Sequence, residues 1–225
     1  MSSVVIAIDG PSASGKSSTA RAVARALGFA HLDSGALYRG LTLVALQEGV
    51  DQPHAILDAA ERRGLMLQYD GEGFAVYLNG EPVDAAIRAP EVTARVSAVS
   101  AMPEIREWVN LRLRSLVRAG QSVVVDGRDI GTVVFPEADL KVFLTASPRT
   151  RAERRLVQRG ERADPATIER EAALLAARDQ ADSSRPVAPL RMADDAVPVD
   201  GTELSFEEQV ARIVALARKR LGRLA

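Results

Sequence analysis

Short apolar runs recur along the chain at residues 4–8, 29–32, 122–125, 140–144 and 196–199, and turn residues bound them. Each is too short to be a helix, so each is predicted to be a buried strand. Between them the apolar positions follow helical spacing. Ala20, Val23, Ala24 and Leu27 predict a helix over 16–27 that stops at Gly28. Further helices are predicted over 36–47, 53–63, 90–100, 103–119, 148–160, 165–181 and 205–221. Strands alternating with helices imply parallel βαβ units, with helices on both faces of one sheet. Residues 65–84 break the alternation: Asp70-Gly71-Glu72-Gly73 and Asn79-Gly80 separate three short strand patterns. Asn-Gly between apolar runs is a strong hairpin signal, so this stretch reads as an inserted antiparallel meander.

Composition narrows the class. The chain has 225 residues, 47% hydrophobic and 26% charged, which is ordinary for a globular protein. No apolar run approaches the roughly 20 residues that span a bilayer. The short apolar run at residues 4–8 lacks a basic segment before it, so no secretory signal is expected and the cytoplasm is the expected compartment. Cysteine is absent, which removes disulfides, thiolate metal sites and cysteine nucleophiles. A net charge of -1 gives no field that would draw nucleic acid or an anionic membrane, so neither is expected as a partner. Lys16, Lys141 and Lys219 are the only lysines; every other cation is arginine, the better bidentate partner of phosphate. His31 and His54 lack metal-ligand spacing and read as core or surface residues. Trp108 reads as packing, the run Arg218-Lys219-Arg220 as a solvated helix end, and Asp194-Asp195 as a turn.

Gly10-Pro11-Ser12-Ala13-Ser14-Gly15-Lys16-Ser17 fits G-x-x-x-x-G-K-[ST] at every position, with a strand before it and a helix after it. The glycines let successive backbone N–H groups turn inward on phosphate oxygens, and the helix adds its positive dipole end. Lys16 is placed for the β- and γ-phosphates and Ser17 for Mg²⁺. The loop does not choose among kinases, switches, motors and binding modules. No Asn/Thr-Lys-x-Asp guanine motif is present, and 123–125 ends in Asp126-Gly127-Arg128-Asp129 rather than in adjacent acidic residues. Asp33-Ser34-Gly35-Ala36-Leu37-Tyr38-Arg39 follows the second strand, on the side where parallel sheets bind ligands.

These stretches, with Asp126-Gly127-Arg128-Asp129-Ile130-Gly131-Thr132-Val133-Val134-Phe135-Pro136 and the tail segment Arg178-Asp179, Asp182 and Arg185 to Leu190, resemble the bacterial cytidylate kinases. The resemblance runs in order over nearly the whole chain. It implies an α/β P-loop fold of three layers, with a five-stranded parallel sheet flanked by helices, a small antiparallel insert and a short mobile lid. The core would comprise about 1–34, 103–148 and 172–225, the nucleoside-monophosphate region 35–102 with its insert at 64–85, and the lid 149–171.

The activity implied is transfer of the ATP γ-phosphoryl group, with Mg²⁺, to CMP or dCMP. Lys16, Arg39 and Arg128 would be catalytic. ATP would be held by Gly10, Pro11, Ser12, Ala13, Ser14, Gly15, Lys16, Ser17, Ser18 and a lid arginine, taken as Arg155 with Arg151, Arg154, Arg159 and Arg162 as the other candidates in or near the lid. Ser34, Arg39 and Arg128 would hold the acceptor phosphate. Arg106, Asp129 and Arg185 would face the cytosine, and Ser97, Arg178 and Asp182 would lie near the sugar. Cytosine offers an amine at N4 and acceptors at N3 and O2, which a carboxylate and guanidinium groups complement. Uracil reverses positions 4 and 3, so an Asp129–Arg106 reader would discriminate against it. Two rivals are a broader pyrimidine kinase that also accepts UMP and a nucleotide-binding regulator that transfers nothing. A complete acceptor pocket speaks against the second. With no coiled-coil seam or association patch, a monomer is the default.

Overall fold

β1 (Val5–Asp9) is buried along its whole length because its alternate residues serve two cores. Its Ile6 and Ile8 pack with Ala20, Val23 and Ala24 of α1 (Lys16–Leu27) and with Ile213, Val214 and Ala217 near the C-terminus. Val5 and Ala7 point the other way, toward Leu37, Leu41 and Val44, and toward Ile105, Val109 and Leu113. A strand that is apolar on both faces is what a sheet covered on both sides requires.

The remaining elements, in chain order, are β2 (Ala30–Asp33), α2 (Ser34–Glu48), α3 (Pro53–Arg62), β3 (Met66–Tyr69), β4 (Gly73–Leu78), β5 (Glu81–Pro82), α4 (Pro90–Ser100), α5 (Pro103–Arg118), β6 (Val123–Gly127), β7 (Leu140–Thr145), α6 (Pro148–Gln158), α7 (Pro165–Ser184), β8 (Val197–Asp200) and α8 (Phe206–Leu221). These are seen in a computed structural model, which describes residues 3–118 and 120–222. The predicted strands and long helices are all present, within a few residues at their ends. Two short elements had no sequence signal, a 3₁₀ turn at Ala86–Arg88 and a π-helical turn at Ile130–Val134.

The five expected parallel strands lie in the order β2-β6-β1-β7-β8. The meander β3-β4-β5 is antiparallel within itself, but it joins the same sheet. β4 pairs in parallel with β2 at His31↔Gly73 and Leu32↔Phe74, so the sheet has eight strands. A side chain on Gly73 would bring its Cβ within 2.7 Å of the His31 carbonyl oxygen, which is why the approaching strand begins with glycine.

Register delivers the chemistry. Asp33 of β2 pairs with Asp126 of β6, and Ile8 of β1 pairs with Asp126 on its other side. Asp9, Asp33 and Asp126 therefore emerge together at the carboxyl ends of adjacent strands. A third, smaller core joins α6 to α7 through Ala152, Leu156, Ile168 and Leu175, and packs against Ala13 of the glycine-rich loop. Among the described residues no helix is long and apolar enough to cross a membrane.

Candidate functional site

The loop between β1 and α1 is fixed by sterics at its start and by conformation at its end. A Cβ on Gly10 would lie 2.1 Å from the Leu144 carbonyl oxygen, so no side chain fits there. Gly15 sits at φ 89, the left-handed region, and no side chain caps α1 behind it. The first amides of α1 thus lack a side-chain acceptor, an arrangement that suits an anion at the helix start. Lys16 donates to the Pro11 carbonyl at 3.1 Å. Burial, then the charges of Arg128 and Arg178, push its ammonium down to about 7 against the pull of Asp126 and Asp33.

Two helices hold the loop from outside. The Ser12 amide donates to Asp179 Oδ1 at 2.8 Å, and Arg151 donates to the Ser12 carbonyl at 3.0 Å while pairing with the other Asp179 oxygen. Sequence reasoning missed this clamp: Asp179 stood out only as part of the family pattern, with no role, and nothing local ties it or Arg151 to the loop.

At the strand ends, Asp126 accepts the Ser17 hydroxyl at 2.5 Å on one oxygen and faces His31 Nε2 at 2.8 Å with the other. Burial alone would raise its carboxyl, but the His31 and Ser17 hydrogen bonds and the Lys16 charge outweigh it and hold the group below the usual range. Neighbouring Asp33, which caps α2 through the Ala36 amide, is raised by burial and by Asp126. Asp9 is pushed up to about 6 by burial, although it accepts the Ile130 and Gly131 amides at 2.8 Å and so anchors the π-helical turn. A hydroxyl and a carboxylate oxygen beside a phosphate loop suit Mg²⁺, which keeps water and takes phosphate oxygens for its remaining ligands. Among the described residues no group of three or more His, Cys, Asp or Glu could hold a metal ion unaided.

Across the cleft, Arg106 bonds Asp129 at 2.5 Å and the Ser100 carbonyl at 3.0 Å, with its guanidinium 5.4 Å above the Tyr38 ring. Arg185 lies 3.5 Å from the other Asp129 oxygen and 3.8 Å from Asp182. Arg128 ties the two halves together, donating to Asp182 and to the Ser12 hydroxyl, both at 2.9 Å. Ser34 donates to the Asp126 carbonyl at 2.8 Å, and Arg39 to Thr93 at 3.0 Å. Burial, then Arg178, lowers the Arg39 guanidinium to about 10. Arg178 Nε is buried without a partner.

These side chains enclose a cleft of about 220 Å³ in which eight cations face four carboxylates. Every acceptor-side residue singled out from the sequence lines it except Ser97. The phase of α4 explains the exception: Val96 and Ser100, one turn apart, face the cleft, while Ser97 is rotated about 100° from Val96. The loop residues Ser12, Ala13, Gly15, Lys16, Ser17 and Ser18 also line it, whereas Gly10, Pro11 and Ser14 stand outside the lining. Arg155 lines both this cleft and an adjoining cavity of about 320 Å³ formed with Arg154, Gln158, Phe206 and Gln209. Tyr38, Asp33, Arg88, Leu175 and Asp126 were not assigned roles from the sequence, yet they line the cleft. Asp126 had a signal, its place in the strand-ending motif; Arg88 and Leu175 had none.

The chain is similar to known proteins along nearly its whole length. The family model described as cytidylate kinase matches residues 6–219. A protein named cytidylate kinase from Geobacillus sp. (strain WCH70) is 45% identical, covering 96% of this chain and 97% of that one. Another of that name from Streptomyces griseus is 48% identical, covering 96% and 93%. An uncharacterized protein from Eubacterium ventriosum shares the fold, with a TM-score of 0.50 at 11% identity over 96% of this chain and 98% of its own. With its phosphate loop, its aspartate-studded strand ends and its arginine-rich cleft, the chain belongs to the cytidylate kinase family.

Proposed function

We propose that the protein transfers the γ-phosphoryl group of ATP to CMP and dCMP. The observation that carries this reading is the cleft itself, where cations outnumber carboxylates eight to four between a phosphate loop and a buried Arg106–Asp129 pair. Such an excess suits two phosphate chains meeting head on, and the buried pair suits a polar base beyond them.

On the donor side, Lys16 and the loop amides hold the β- and γ-phosphates, and Arg155 approaches from α6. The adjoining cavity with Phe206 at its rim has room for the adenine. Ser17 and Asp126 would hold Mg²⁺, which when bound neutralises charge on the transferring group. On the acceptor side, Ser34, Arg39 and Arg128 hold the CMP phosphate. Asp129 accepts from the cytosine amine, Arg106 and Arg185 donate toward its ring acceptors, and Arg178 and Asp182 face the sugar. The acceptor is already a phosphate oxygen anion, so no side chain need remove a proton. The task is to align two anions and stabilise the charge that develops between them. Residues 149–171, α6 and the first turns of α7, serve as the lid, and its closure would exclude water. The protein works as a monomer in this reading.

A coupled ADP-release assay with Mg·ATP and CMP, dCMP, UMP, AMP, GMP or no acceptor tests the reading. Fast turnover with CMP and dCMP, little with UMP and almost none without acceptor is expected. Equal ADP release with and without acceptor, or none with any acceptor, would overturn it.

A further inference from the structure

His31 has no part in the chemistry described above, and it is buried on β2 two residues before Asp33. Its Nε2 stands 2.8 Å from Asp126 Oδ1, while Asp126 Oδ2 receives the Ser17 hydroxyl at 2.5 Å. The imidazole and the cation-side hydroxyl therefore grip opposite oxygens of one carboxylate. Asp33, two residues on along the same strand, is the register partner of Asp126 and a like charge beside it.

We infer that His31 is a positioning residue for the divalent cation. By donating Nε2–H to Asp126 Oδ1 it fixes the plane of the carboxylate and keeps Oδ2 beside the Ser17 hydroxyl. This role rests on the Mg·ATP reading of the loop. A carboxylate without that donor is free to turn away from the loop. Partners of this kind orient the groups that meet a metal, and losing them typically costs roughly 10- to 100-fold in metal affinity.

The meander seats His31 in turn. The His31 amide donates to the Glu72 carbonyl at 3.3 Å, and Gly73 is its pairing partner. A Cβ at Gly73 would also approach the His31 Cβ to 3.3 Å. The inserted strands thus reach the cation end of the phosphate loop through one imidazole, without lining the cleft.

The test compares His31→Phe, which removes the donor, with His31→Gln, whose amide can replace it. ATP binding is measured by calorimetry with Mg²⁺ and with EDTA, and Mn²⁺ binding to the ATP complex by electron paramagnetic resonance. In the phenylalanine variant the cation affinity of the ATP complex should fall about tenfold, with metal-free ATP affinity within about twofold of the parent. His31→Gln should recover most of that loss, and CMP affinity should not move in either variant. Equal losses with and without metal, or a glutamine variant no better than phenylalanine, would overturn the assignment. If His31→Phe does not fold, His31→Asn takes its place, since its shorter amide cannot span to Asp126; unchanged cation affinity there would overturn it too. Metal-dependent ATP binding without CMP turnover in the parent would sink the kinase reading and leave this one standing.

Discussion

In the proposed reaction the two halves of the cleft face the same problem, holding an anion, and are built for it by opposite means. The phosphate loop is local: nine residues from Gly10 to Ser18 supply it, mostly with backbone, and close contacts such as Gly10 against Leu144 shape it. The acceptor half is assembled from α2, α5, α7 and the segment after β6, and it works with side chains, several of them already paired with a carboxylate before any nucleotide arrives. Arg106 is matched to Asp129, and Arg128 to Asp182. Lys16 has no such carboxylate at bonding distance and is left with a carbonyl. A backbone cradle needs no counter-charge and keeps its lysine poised for phosphate. A side-chain pocket buried this deeply must carry its own, because an unpaired buried charge costs too much.

Removing the loop's own cation should do the most damage. Lys16→Ala is expected to lower kcat by about 10³, the scale of losing a preorganised charge at the reacting group. A loss below tenfold in the coupled assay would break the contrast. Asp129→Ala attacks the other half, leaving Arg106 and Arg185 without their carboxylate. The ratio of kcat/KM for CMP over UMP should fall about 100-fold, since a buried polar reader is what separates such substrates. An unchanged ratio in a folded variant would take base reading away from Asp129. Arg39→Ala should raise the KM for CMP about tenfold, roughly the worth of one charged hydrogen bond, with ATP affinity nearly intact. Separate titrations of the two nucleotides check this, and equal losses in both would merge the two halves.

The smallest effect is in pH. Lys16 titrates near 7 in the free protein, and bound phosphate must raise it. ATP affinity is then fully present below pH 7 and is lost as pH rises toward the bound value, by about fivefold between pH 7 and 8. Calorimetry in buffers of different ionisation enthalpy should register proton uptake over that range, and none would mean that Lys16 is already charged.

Legibility in the sequence followed the same divide. The donor loop could be read from its eight-residue pattern because its function lies in spacing and in the two flanking elements. The presence and approximate ends of the parallel strands followed from short apolar runs, and the meander from Asn79-Gly80, whereas the order of the strands in the sheet had no local signal. Arg106, Arg178 and Arg185 look like surface charges along the chain, and only the family pattern singled them out. Ser97 shows the limit of that pattern, since a helix turned by one residue presents Ser100 instead. The clamp of Arg151 and Asp179 on Ser12 and the His31–Asp126 contact depend on distant elements meeting, and no local periodicity encodes a meeting. The π-helical turn at Ile130–Val134 depends on Asp9 accepting two amides more than a hundred residues away.

The pairing of β4 with β2 over Gly73 also bears on solubility. Without the meander, β2 would end the sheet with a row of unsatisfied amides and carbonyls, open to the same strand in another molecule. β4 covers that row, and the outermost position passes to β3, whose four residues are mostly exposed and end in a tyrosine bonded back to its own turn. Exposed strand margins invite intermolecular sheet growth. The insert therefore covers an edge that would otherwise be open, and a shortened enzyme lacking residues 64–85 would be expected to lose soluble yield before it lost the phosphate loop.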